Sequence, residues 1–100
     1  MREELAHMTI AEPPEFLFKA VDMELSDIIF RRGLNRLKMP FIDMYETDTL
    51  ARRAYTKKKT PYIFAIRSRA MYEDGFIFYL LETGTWGTDD IPQRYLLLHG

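Results

Sequence analysis

The chain of 100 residues contains no cysteine, which excludes structural disulfides and thiolate metal sites. Its only histidines, His7 and His99, stand near opposite ends, so no pair has metal-ligand spacing. Both read as solvated, idle imidazoles. Glycine is sparse at five residues, and none belongs to a glycine-rich loop of phosphate-binding length. The longest apolar run, Phe76–Leu81, has six residues, far short of the roughly 20 that a membrane helix needs. The opening Met1-Arg2-Glu3-Glu4-Leu5 lacks a signal-like apolar stretch, and a cytoplasmic location is the default expectation.

What is present is enough for one core. Hydrophobic residues make up 47% and aromatic residues 14%, which closes a single domain of this length without metal or disulfide help. The net charge of −1 hides a polarised chain. Residues 1–30 set Arg2 and Lys19 against seven acids, whereas residues 31–59 hold nine basic residues against Asp43, Glu46 and Asp48. The basic middle either faces phosphate groups or neutralises the acidic segment across the surface.

Pro13-Pro14 breaks any helix begun by Glu3–His7, so residues 1–14 read as a loosely ordered lead-in and residues 15–100 as the domain. Glu15–Ala20 reads as a strand. Asp22 is a candidate N-cap for a helix to about Arg32, ended by Gly33 in the left-handed conformation. Pro40–Tyr45 suggests a second strand, with Phe41, Asp43 and Tyr45 on one face and Ile42 and Met44 on the other. Thr47 or Asp48 caps a second helix, in which Leu50, Ala51 and Ala54 face inward. Tyr62–Ile66 fits a buried central strand. Asp74-Gly75 is a tight turn into a strand over Phe76–Leu81, Thr83-Gly84 turns again, and Arg94–His99 closes the chain as a strand. The expectation is an α+β domain with a small, split, mixed sheet of about five strands and two helices.

Several residues invite chemistry. Asp43 interrupts an apolar strand, a costly placement for a buried carboxylate without a partner. It is either a site residue or half of an internal ion pair with Lys19 or a basic residue of the second helix. Lys57-Lys58-Lys59 either complement the negative end of the second helix or contact phosphate, and Arg31-Arg32 offer the same two readings. Trp86, the only tryptophan, packs in the core or stacks on a base.

The last third shows Met71-x-x-Asp74-Gly75, Phe78-Tyr79, Thr83-Gly84-Thr85-Trp86-Gly87-Thr88 and Ile91-Pro92-Gln93-x-Tyr95-Leu96. In order and spacing it resembles the C-terminal lobe of the RNA 2′-phosphotransferases, a branch of the ADP-ribosyltransferase superfamily. Upstream, Ile28/Ile29 through Gly33-Leu34 is similar to that family's helix and glycine stop, and Thr60–Phe64 sits where its central strand begins. The resemblance runs roughly from Phe16 to Leu96. Departures fall among polar motifs. The family's dinucleotide-gripping His-Gly-Thr stands here as Lys19-Ala20-Val21, its His-x-His as Phe41-Ile42-Asp43, and its arginine after the second helix as Lys57 or Lys58. A lysine keeps the charge but not the planar bidentate grip. The asparagine of its late turn is Thr83.

The resemblance implies an ADP-ribosyltransferase-like lobe and NAD as a donor of ADP-ribose to an RNA 2′-phosphate, with release of nicotinamide. It further implies Lys19, Tyr45 and Trp86 on the cofactor, and Lys57, Lys58, Asp43 and Glu82 as catalytic candidates. Phosphorylated RNA or a nucleotide would meet the basic segment 31–59. The competing reading is a catalytically silent binding module on the same fold. That module would hold a protein partner through the acidic N-terminal third or an aromatic patch around Tyr72, Phe76 and Tyr79.

Overall fold

The computed structural model describes residues 8–100. Residues 1–7 of the expected lead-in, His7 included, lie outside the described residues. Among the described residues there are seven strands: β1 Met8–Ile10, β2 Leu17–Asp22, β3 Ile42–Met44, β4 Pro61–Ile66, β5 Tyr79–Leu81, β6 Trp86–Thr88 and β7 Leu96–Leu98. Three helices accompany them: α1 Ser26–Arg32, α2 Asp48–Ala54 and α3 Ser68–Glu73. The strands form a four-stranded sheet in the order β1-β5-β6-β3 and a three-stranded sheet in the order β2-β4-β7. The α+β class and the split sheet are as expected. Every pairing is antiparallel, however, so neither sheet is mixed.

Burial explains the architecture. The continuous apolar run Ile63–Ile66 sits in the middle of the three-stranded sheet and is buried along its whole length. Leu17, Phe64, Ile66, Met71 and Phe78 are sealed from solvent in one cluster, each contributing about 1.5–3 kcal/mol of burial. Ile42 and Met44 face this core while Asp43 and Tyr45 do not, which is the alternation read from the sequence. Phe30 of α1 lies parallel to Phe64, with ring centroids 6.2 Å apart.

The two sheets are stitched where the site forms. Phe18 N–H donates to the Tyr45 carbonyl at 2.7 Å and Tyr45 N–H returns to the Phe18 carbonyl at 2.9 Å. This single bridge brings the outer edge of β2 against β3.

Several boundaries differ from expectation. Asp22 makes no side-chain cap; a 3-10 turn over Met23–Leu25 follows it, and α1 begins at Ser26. Thr47 caps α2 by accepting the Leu50 N–H at 3.1 Å. Of the three residues expected to face inward from α2, only Ala51 does; Leu50 and Ala54 are exposed. The helix Ser68–Glu73 falls between the expected strand Tyr62–Ile66 and the Asp74-Gly75 turn, where the sequence suggests no element. A strand over Phe76–Leu81 shrinks to Tyr79–Leu81, and a 3-10 turn over Gln93–Tyr95 precedes the last strand.

The described residues before β2, 8–16, are tied to the rest of the fold. Met8–Ile10 pairs with β5 as an edge strand. Pro13 is fully buried, Ser68 Oγ donates to the Pro14 carbonyl at 2.7 Å, and the Arg69 guanidinium reaches the Pro13 carbonyl through Nε and Nη2. Prolines that cannot donate hydrogen bonds still offer carbonyls, and α3 takes them.

Gly33 fulfils its expected role for two reasons. Its φ is +89°, and a Cβ there would lie 2.4 Å from the Ile91 carbonyl oxygen. Only glycine lets the end of α1 approach the Ile91 backbone, where Leu34 and Ile91 exchange hydrogen bonds of 2.9 and 2.8 Å.

A candidate ligand groove between two sheets

Beside the stitch lies an open groove of about 320 Å³. Its floor comes from β2 through Lys19, Ala20, Val21 and Asp22, and from β3 through Asp43 and Tyr45 just beyond it. Leu25 and Ile29 close one side; Ala51 and Ala54 of α2, followed by Tyr55 and Lys57, close the other. Small alanines on the α2 wall leave the groove open.

Two polar clusters occupy it. In the first, the Lys19 ammonium donates to Asp43 Oδ1 at 2.7 Å and the Tyr45 hydroxyl donates to Asp43 Oδ2 at 2.9 Å. Burial alone would raise the Asp43 carboxyl. The Lys19 charge and the hydrogen bonds from Lys19 and Tyr45 outweigh it and hold the carboxyl below its ordinary range. Burial, then the Asp43 charge, pushes the Tyr45 phenol up to about 12. In the second cluster, Tyr55 donates its hydroxyl to the buried Asp22. Lys57 and Lys59 each stand 3.9 Å from Asp22 Oδ2. Desolvation and the bond to Asp22 push the Tyr55 phenol up to about 12 as well. Each cluster thus sets a protonated phenol and at least one ammonium around one carboxylate.

Of the residues expected at a site, Lys19, Asp43, Tyr45 and Lys57 meet on this groove. Lys58 is exposed on the same loop without lining it. This loop starts after Ala54, so Lys57–Lys59 stand beyond the last turn of α2 rather than on it. Glu82 lies on the exposed turn after β5 without lining the groove. Trp86 is 4% exposed and donates Nε1–H to Glu46 Oε2 at 2.8 Å, so it packs in the core. Asp22 and Tyr55 were not among the candidates. The signal for Asp22 was a carboxylate directly after the apolar strand Leu17–Val21; reading it as a helix cap concealed it. Among the described residues no group of acids and histidines is placed to hold a metal ion, and no helix is long and apolar enough to cross a membrane.

No family model matches the chain. Comparison with curated proteins is more informative. A protein of Flavobacterium johnsoniae named "Probable RNA 2'-phosphotransferase" is 32% identical over 85 residues, covering 85% of this chain and 47% of that protein. Proteins of the same name from Nostoc punctiforme and Streptomyces griseus are 29% and 28% identical over 84% and 90% of this chain. The chain is related to the RNA 2′-phosphotransferases. It spans about half the length of the curated relatives it matches.

Proposed function

We propose that the chain is a nucleotide-handling protein of the RNA 2′-phosphotransferase kind, whose groove seats part of NAD and whose basic segment 31–59 meets a phosphorylated RNA. The observation that carries this reading is the convergence of Lys19, Asp43, Tyr45 and Lys57 on one open groove. Its volume of about 320 Å³ falls at the lower end of the range for small-molecule sites, roughly 300–1,000 Å³. That suits a mononucleotide-sized portion of the ligand. Bound NAD supplies an ADP-ribosyl group with nicotinamide as the leaving group. In this reading Lys57, at the rim, contacts phosphate; the Tyr45 ring stacks; and the Tyr45 and Tyr55 phenols, protonated at neutral pH, orient ribose hydroxyls. Calorimetric titration tests it. Heat that saturates with NAD in the millimolar range or below is expected, and a folded protein giving none contradicts the reading.

A second reading, a silent binding module, is favoured by one observation. Both groove ammoniums already have carboxylate partners, Lys19 in Asp43 at 2.7 Å and Lys57 in Asp22 at 3.9 Å. An ammonium committed to a neighbouring carboxylate has less to offer a transferring phosphate. Nicotinamide release in the presence of NAD and 2′-phosphorylated RNA separates the two. Binding heat without release assigns the module.

A further inference from the structure

The outer face of the four-stranded sheet carries aromatic side chains that the groove does not use. On this face a cross-strand row runs Asp43, Gly87, Tyr79, because Asp43 pairs with Gly87 and Gly87 with Tyr79. Phe41 and Tyr45 flank Asp43 on the same side by alternation. Gly87 has a specific task in this row. A Cβ there would sit 2.7 Å from Phe41 Cδ1, so its absence lets the Phe41 ring lie directly against the backbone of β6.

Phe41 and Tyr79 open onto a second groove of about 650 Å³, with Phe76 and the 52% exposed Ile77 beside them. Both rings are only half-buried. Among the described residues neither is engaged by another aromatic ring, and the Tyr79 hydroxyl has no hydrogen-bond partner. The rim is polar and ordered. Arg36 donates through Nε to Asp89 Oδ1 and through its backbone N–H to Asp90 Oδ1, each at 2.8 Å. The exposed Lys38 lies two residues further along the same loop.

We infer that this face is a stacking platform for the unpaired bases of a single-stranded RNA. Sheet faces with outward aromatic residues recognise single strands because every base presents a π-face and unstacked bases are available only there. The occupant follows from three features. The Phe41 ring lying against the β6 backbone and the half-buried Tyr79 ring beside it match flat bases. The carboxylate oxygens of Asp89 and Asp90 that Arg36 leaves open offer acceptors to exocyclic amino groups at the rim, while the exposed Lys38 supplies positive charge for a backbone. The platform also continues, through Asp43 and Tyr45, into the groove already described, so one strand can run from bases on the sheet to its phosphate at the groove. The inference rests on the RNA half of the proposed function and adds where and through which chemistry RNA is held.

The test compares a short oligoadenylate with an abasic ribose-phosphate strand of equal length, at one fixed salt concentration, by fluorescence anisotropy. Stacking predicts that the abasic strand binds at least about ten-fold more weakly, and that Tyr79→Leu and Phe41→Leu each weaken oligoadenylate roughly ten-fold. Leucine keeps apolar volume in both, and if Phe41→Leu fails to fold, Tyr79→Leu alone decides. Calorimetric heat with NAD is expected to be unchanged in both variants. Equal binding of the two strands, no binding of either, or indifference to both substitutions overturns the platform, whatever NAD does; loss of NAD heat in wild type is a separate failure, of the groove reading. A protein captured from ribonuclease-treated lysate by wild type but not by Tyr79→Leu likewise overturns it, in favour of a protein partner.

Discussion

The Lys19 ammonium and the Asp43 carboxylate, 24 residues apart in the chain, meet at 2.7 Å across the stitch between the two sheets. Their side chains are 20% and 39% exposed, so the pair is screened by solvent only in part. Replacing Asp43 with Ala leaves Lys19 without this partner and the Tyr45 hydroxyl without its acceptor. The expected cost is about 1–2 kcal/mol in urea denaturation. A double-mutant cycle with Lys19→Ala should return a coupling of about 1 kcal/mol.

The same pair sets an acid limit. The Asp43 carboxyl titrates lower in the folded protein than in the unfolded chain, so the folded state binds that proton less tightly. The contribution is present above the unfolded value, near 4, and is lost as pH falls through the folded one. Asp43→Asn should flatten this acid limb of stability against pH, read by thermal denaturation across acidic buffers.

The two groove phenols should be visible at the alkaline end. Tyr45 and Tyr55 are expected to ionise near pH 12, and ordinary tyrosines near 10. Both pKa values are raised on folding, so their contribution to stability is intact below about pH 10 and is lost as pH rises through 12. Ultraviolet titration of the tyrosines should show late transitions, with Tyr95 also raised by its bond to Asp74, of which one moves earlier in Asp43→Asn and another in Asp22→Asn. Unchanged transitions would mean that neither aspartate holds its phenol.

The alternation around Asp43 and the continuous run Ile63–Ile66 announced their strands because burial imposes periods of two and one on such segments. The Lys19–Asp43 pair was one of two open readings, since a carboxylate between apolar neighbours needs a cation. What stayed hidden depended on tertiary placement. The helix Ser68–Glu73 carries no apolar stripe of its own; its N-terminal residues instead grip the Pro13 and Pro14 carbonyls, which no local pattern encodes. Tyr55 and Asp22, 33 residues apart, become partners only because α2 packs on β2. Trp86 was ambiguous for the opposite reason, as an indole suits a core and a base equally well.

Gly33 offers a test of the fold itself. Gly33→Ala combines a positive φ with a Cβ placed 2.4 Å from a carbonyl oxygen, and both must be relieved by moving backbone. A loss of about 2–3 kcal/mol is expected, measured by chemical denaturation.

The strap on the N-terminal segment gives a local prediction. Arg69→Ala removes the two donors to the Pro13 carbonyl and the ion pair with Glu12 at 2.9 Å. Hydrogen exchange in β1 and its partner β5 should accelerate by about ten-fold while β4 stays protected. Uniform acceleration would show that the segment is part of the global core instead.

Backbone amide shifts mapped by NMR during an NAD titration test most directly the groove that β2, β3 and α2 build around the Lys19–Asp43 pair. Saturable shifts concentrated at Ala20, Val21, Asp43, Ala51 and Tyr55 are predicted, with β7 unmoved. Shifts absent from those five amides, or gathered elsewhere on a protein that does bind NAD, would contradict it.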